Sequence, residues 1–230
     1  MSKLIVALDF AQSSQALSFV EKLTPQDCAL KIGSELFTRS GSALVQDLVQ
    51  RGFRVFLDLK FHDIPNTVAH ACQAAADLGV WMLTVHAGGG AAMLQAASDA
   101  LAPYGVARPK LVAVTVLTSL AEQDLPAVGV QSSLPQHVER LAVLAQAAGV
   151  DGVVCSGQDL LHLKARCGAG FLAVTPGLRL PGDALHDQAR VMTPQEAIAA
   201  GSDYLVMGRS ITQAADPAAV VQRLQVYVQG

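Results

Sequence analysis

An alternation runs the length of this chain and constrains its fold more than any other feature. Short β-branched runs recur at 4–9, 29–33, 55–60, 81–87, 110–118, 152–156, 171–176 and 204–209, with longer Ala/Leu-rich stretches between them. Eight strand–helix units in 230 residues average roughly 29 residues each, the pitch of a (β/α)8 barrel. The runs are apolar nearly throughout, which suits parallel strands covered on both faces. An open doubly wound sheet is the competing arrangement, but it usually carries fewer strands. Thr193-Pro194-Gln195-Glu196 and Ser133-Leu134-Pro135-Gln136 read as capping boxes with proline in the first turn. Asp216-Pro217 opens a last helix in which Val220, Val221, Leu224 and Val228 recur at helical spacing. No linker, charge block or low-complexity tract divides the chain, so residues 1–230 are expected to form one α/β domain, a TIM barrel. Residues 177–190 carry neither pattern and follow the seventh run, where barrels place functional loops.

With 51% hydrophobic and 15% charged residues the chain has ample material for a core. Sixteen Lys+Arg against nineteen Asp+Glu give a net charge of −3, which argues against a nucleic-acid or anionic-membrane surface and leaves room only for a local cationic pocket. The four cysteines, Cys28, Cys72, Cys155 and Cys167, have no metal-ligand spacing and sit in or beside apolar runs; buried free thiols and a cytoplasmic location are expected. The apolar run at 4–8 is too short for a signal-peptide core or a membrane span.

Chemistry in such barrels lies at the C-terminal ends of the strands. Here those ends carry Asp9, Lys31, Asp58 and Lys60. Residues two apart share a face of a strand, so Asp58 and Lys60 point the same way, and neighbouring strands about 4.8 Å apart bring Lys31 within reach of both sides. A single pair of this kind reads equally well as a structural salt bridge. Four opposite charges converging on one mouth point instead to catalysis, because buried ion pairs are poor sources of stability. Gly208-Arg209 ends the eighth run, where barrels often bind phosphate; the glycine allows close backbone approach and the arginine offers a bidentate fork. Pro65 is expected to start a helix capped by Asn66 or Thr67, which leaves Asp63 without a structural role. Gly88-Gly89-Gly90 reads as a close turn into a helix rather than a nucleotide loop. His62, His86 and His186 are too scattered to suggest a metal site; His70, His137 and His162 read as helix-face residues and Trp81 as core packing.

The string Asp58-Leu59-Lys60-Phe61-His62-Asp63-Ile64-Pro65-Asn66-Thr67 resembles the signature of the orotidine 5′-monophosphate decarboxylase family. The resemblance continues through Val6-Ala7-Leu8-Asp9, Leu30-Lys31-Ile32-Gly33, Val85-His86-Ala87, Val116-Leu117-Thr118-Ser119, Thr175-Pro176-Gly177-Leu178-Arg179, Asp187-Gln188-Ala189-Arg190-Val191 and Met207-Gly208-Arg209-Ser210-Ile211. Leu180 and His186 stand where the family pattern has Pro and Gly. The resemblance implies conversion of orotidine 5′-phosphate to UMP with neither metal nor organic cofactor. It implies that Lys60 is the general acid, that Asp58 lies beside the substrate carboxylate, and that Lys31 holds Asp58 and contacts the ribose. Asp9 would accept from a ribose hydroxyl and Thr118 would bond the pyrimidine, while Arg179, Gln188, Gly208 and Arg209 would take the phosphate. Asp63 and Thr67 would enter the neighbouring site of a homodimer. Two other readings stay open. A magnesium-dependent sugar-phosphate barrel, of the 3-keto-gulonate-6-phosphate decarboxylase or hexulose-phosphate synthase type, shares D-x-K-x-x-D and would need a further acid such as Glu35. A catalytically silent phosphate-binding barrel would bind UMP without turnover.

Overall fold

The computed structural model describes residues 2–180 and 192–228. Eight strands, β1 (Leu4–Ala7), β2 (Ala29–Gly33), β3 (Val55–Phe61), β4 (Met82–His86), β5 (Lys110–Val114), β6 (Gly152–Val154), β7 (Leu172–Thr175) and β8 (Tyr204–Met207), pair in sequence order and close into a barrel. Every pairing is parallel, including β1 with β8. The outer layer comprises α1 (Ser13–Val20), α2 (Ser34–Gln50), α3 (Pro65–Asp77), α4 (Gly90–Leu101), α5 (Leu134–Ala147), α6 (Leu160–Cys167), α7 (Pro194–Ala199), α8 (Arg209–Thr212) and α9 (Pro217–Val228). The expected (β/α)8 barrel is therefore the fold.

Strand periodicity separates the core in two. Ile5, Ala7, Ala29, Phe56, Met82, Val112, Val174 and Val206 point inward and fill the barrel axis. The intervening residues, such as Leu4, Val6, Leu30, Leu57 and Leu83, face the helices. Both faces of each strand are thus buried, which is why the runs read as continuous apolar sequence. At one end of the barrel Trp81 packs edge-on against Tyr204, with ring centroids 5.0 Å apart, and the Arg54 guanidinium lies 4.5 Å from the Trp81 ring.

The paired strands are shorter than the apolar runs. β1 ends at Ala7 rather than Asp9, although the Leu8 amide still donates to the Lys31 carbonyl and carries the chain onward to Asp9. β5 ends at Val114 rather than at 118; the apolar residues beyond it line the barrel mouth instead of pairing. The capping box at Thr193 forms in both directions, whereas at Ser133 the Ser133 amide donates to Gln136 Oε1 at 3.3 Å without a side-chain cap from the serine; Asp216 accepts from the Ala219 amide at the start of α9. The cap of α3 differs from expectation. Pro65 is its first residue and Ile64 its N-cap, with no side-chain cap from Asn66 or Thr67. Those two lie inside the first turn, past the position where a side-chain oxygen can reach back to the free amides. Cys28, Cys72 and Cys155 are buried, whereas Cys167 is only partly covered, and all four are free thiols. Burial pushes the Cys28 and Cys72 thiols up to about 12, so neither supplies a thiolate at neutral pH.

Candidate active site

The inward register that packs Ala29 and Phe56 on the axis carries Lys31, Asp58 and Lys60 into the C-terminal mouth. There they form a chain of alternating charge. Lys31 Nζ lies 3.5 Å from Asp9 Oδ1 and 3.6 Å from Asp58 Oδ2, and Lys60 Nζ donates to Asp58 Oδ1 at 2.9 Å. The side chains of Lys31 and Asp58 are each only 13% exposed, so these two charges are largely desolvated, while Asp9 faces solvent. Each carboxylate has a cation beside it, the condition under which buried charges persist.

Lys60 occupies its place through an unusual backbone. β3 and β4 pair regularly as far as Leu57 opposite Leu83, then resume at Phe61 opposite Val85. Four steps of β3 therefore span two steps of β4, and the surplus bulges at Asp58–Lys60. Lys60 has φ of 55°, the sole positive φ at a non-glycine among the described residues. Such a conformation costs about 1–2 kcal/mol and is usually retained where function needs a re-aimed side chain.

The far wall of the same cavity, which has a volume of about 240 Å³, is built by the ends of the fifth, seventh and eighth strands. It includes Thr118, Gly177, Arg179, Gly208 and Arg209. Arg179 is buried and donates to the Leu178 carbonyl at 2.8 Å. Leu178 bridges to Met192, which joins the two ends of the segment between them. At Gly208 an added Cβ would lie 3.3 Å from Asp9 Oδ2 and 3.6 Å from Ala7 Cβ, so the backbone there crosses close over β1. Gln188, His186 and Arg190 lie outside the described residues.

Two of the expected site residues stand apart. Asp63 and Thr67 are exposed at the start of α3, outside the cavity of their own chain. Asp63 Oδ1 accepts from the Ile64 amide at 2.6 Å, and Ile64 itself is 66% exposed. Glu35 also lies off the cavity, 3.4 Å from Arg39 in an exposed pair. Among the described residues no group of three or more His, Cys, Asp or Glu is placed to hold a metal ion.

Sequence reasoning missed two neighbours of the site. Thr84, fully buried on β4, accepts from the Lys60 amide at 2.8 Å and donates to Asp58 Oδ1 at 3.1 Å. A lone hydroxyl in an apolar strand, two residues from inward-facing Met82, was the available signal. His86 stacks on His62 with centroids 5.1 Å apart, and its Nδ1 accepts from the Gly88 amide. Burial, then the proximity of His62 and Lys60, lowers the His86 pKa, which keeps the ring neutral as that acceptor role requires. The glycines after it form the expected close turn, leading into α4 at Gly90.

The family described as "Orotidine 5'-phosphate decarboxylase / HUMPS family" matches residues 2–224. The chain belongs to this family. Among similar proteins, orotidine 5′-phosphate decarboxylase of Sodalis glossinidius (strain morsitans) is 58% identical over 228 residues, covering 97% of this chain and 90% of that protein. Its counterpart in Legionella pneumophila (strain Lens) is 59% identical over 222 residues, covering 96% and 97%. A crystal structure of orotidine 5′-phosphate decarboxylase from Lactobacillus acidophilus superposes with a TM-score of 0.90 at 39% identity, covering all of both chains.

Proposed function

We propose that this chain decarboxylates orotidine 5′-phosphate to UMP, the last step of de novo UMP synthesis, and that it does so as a cytoplasmic homodimer. The observation that carries the reading is the chain Asp9–Lys31–Asp58–Lys60, facing two arginines across one cavity. Four cations and two carboxylates line that cavity, a surplus of positive charge suited to a substrate bearing both a phosphate and a carboxylate.

The reaction breaks the C6–carboxylate bond and leaves its electron pair in an in-plane orbital at C6, where the ring's π system cannot spread it. Enzymes commonly remove about 8–23 kcal/mol of barrier, and this reaction needs the upper part of that range. The Lys60 ammonium stabilises the developing carbanion and then gives it a proton from Nζ, so that CO₂ departs and UMP remains. Asp58 fixes the Lys60 ammonium and crowds the substrate carboxylate, a repulsion that disappears as CO₂ leaves. Lys31 holds Asp58 and, with Asp9, engages the ribose hydroxyls, while Thr118 bonds the pyrimidine. Arg179, Gln188, Gly208 and Arg209 hold the phosphate, whose binding energy is spent on order at the reacting carbon. Asp63 and Thr67, outside their own cavity, complete the site of the second subunit.

No metal or organic cofactor takes part in this scheme. The position of Glu35, paired with Arg39 off the cavity, disfavours the magnesium-dependent alternative that would recruit it. The deciding experiment follows the loss of orotidylate absorbance with purified protein in EDTA. Steady turnover supports the proposal. Binding of UMP without turnover, or activity toward a sugar phosphate that EDTA abolishes, overturns it.

A further inference from the structure

We infer that Thr84 is a positioning residue for the decarboxylation, holding the Lys60 backbone and the Asp58 carboxylate in one arrangement through a single hydroxyl. The inference rests on the proposed role of Lys60. The bulge between Leu57 and Phe61 interrupts the β3–β4 ladder at Lys60, so the amide that faces β4 there is out of the regular carbonyl register. The Thr84 hydroxyl takes the carbonyl's place, accepting from the Lys60 amide at 2.8 Å. It spends its one proton on Asp58 Oδ1 at 3.1 Å, the oxygen that also receives Lys60 Nζ at 2.9 Å. The backbone of Lys60 is therefore tied to Thr84 and its side chain to Asp58, and those two groups are bonded to each other. The Thr84 side chain is fully buried, so no water stands ready to replace it.

The left-handed φ of 55° at Lys60 is unfavourable on its own for a side chain with a Cβ. Without the hydroxyl the Lys60 amide is left unpaired and Asp58 loses a donor, so relaxation toward extended backbone becomes downhill and swings Nζ away from the cavity axis. The requirement is for a hydroxyl at this point, not for a threonine. The methyl group only packs.

The test compares Thr84→Val, which keeps the shape and deletes the hydroxyl, with Thr84→Ser, which keeps the hydroxyl. Thr84→Val is expected to lower kcat about 30-fold or more while KM changes less than about threefold, since a hydrogen bond to a charged group is lost at the reacting end alone. Thr84→Ser is expected to keep kcat within about threefold of wild type. A crystal structure of Thr84→Val should show Lys60 at negative φ and Lys60 Nζ beyond salt-bridge distance of Asp58. Wild-type kcat in Thr84→Val, equal damage in both variants, or an unchanged Lys60 backbone in that crystal structure would each overturn the inference. Failure of the wild-type protein to decarboxylate orotidylate would instead sink the functional reading, while the crystallographic comparison still decides what Thr84 holds.

Discussion

Replacing Lys31 by methionine keeps most of the side-chain volume and removes the charge between two carboxylates. At 3.6 Å and an effective dielectric near 20, the attraction to Asp58 is about 5 kcal/mol. The pair with solvent-facing Asp9 adds about 1 kcal/mol or less. Against this stands the desolvation cost of Lys31, which its removal returns, and the continued pairing of Asp58 with Lys60 at 2.9 Å. The expected net loss is about 2–3 kcal/mol, a roughly 30- to 150-fold fall in the folded-to-unfolded ratio, read as a lower urea midpoint at unchanged slope. The double variant Lys31→Met/Asp58→Asn separates stability from catalysis. Removing the stranded carboxylate should recover most of the lost stability, with a coupling of about 1.5–3 kcal/mol, yet activity should stay at least 100-fold below wild type by about the same reasoning. A Lys31→Met protein with the wild-type midpoint and near-normal turnover would refute the view that these charges act as one unit.

Other consequences can be checked separately. The His86 pKa lies below the ordinary value of about 6.5, so the unfolded chain binds the proton first and stability falls as pH drops through that region. His86→Asn should flatten the fall of the urea midpoint between about pH 7 and 5.5, leaving the part due to His137, which burial and Arg140 also lower. Mixing inactive Lys60→Ala with inactive Asp63→Ala should restore activity through hybrid dimers with one intact site; a mixture that stays inactive would mean each site is built within one chain. At Gly152 an added Cβ would lie 2.3 Å from the Leu172 carbonyl oxygen, so Gly152→Ala should cost about 3 kcal/mol by thermal or urea unfolding. Orotidine without its phosphate should lose kcat as well as affinity if, as proposed, the phosphate contacts order the reacting end.

The barrel was legible because both faces of its strands are buried, which leaves eight apolar runs at an even pitch. Where pairing stops was not legible. Val116 and Leu117 are as apolar as the residues of β5, but they line the cavity, and residue type does not separate those two uses. The convergence of Lys31 and Asp58 followed from strand parity and neighbour spacing; Lys60 joins them as expected, but through a bulge rather than through regular alternation. The means of holding Lys60 did not, since a bulge is a difference in register between two strands and leaves no mark on either one read singly. The stacking of His62 on His86 was hidden for a related reason: one residue follows β3 and the other ends β4. Expecting Asn66 or Thr67 to cap α3 gave weight to residue type over position, and Pro65 had already fixed the first turn.

The central claim is that one ammonium, set in this array, protonates C6. The most direct measurement is orotidylate turnover by Lys60→Ala beside its affinity for UMP, both taken in EDTA. Abolished turnover with UMP binding partly retained is the predicted result. Turnover near the wild-type rate would contradict it.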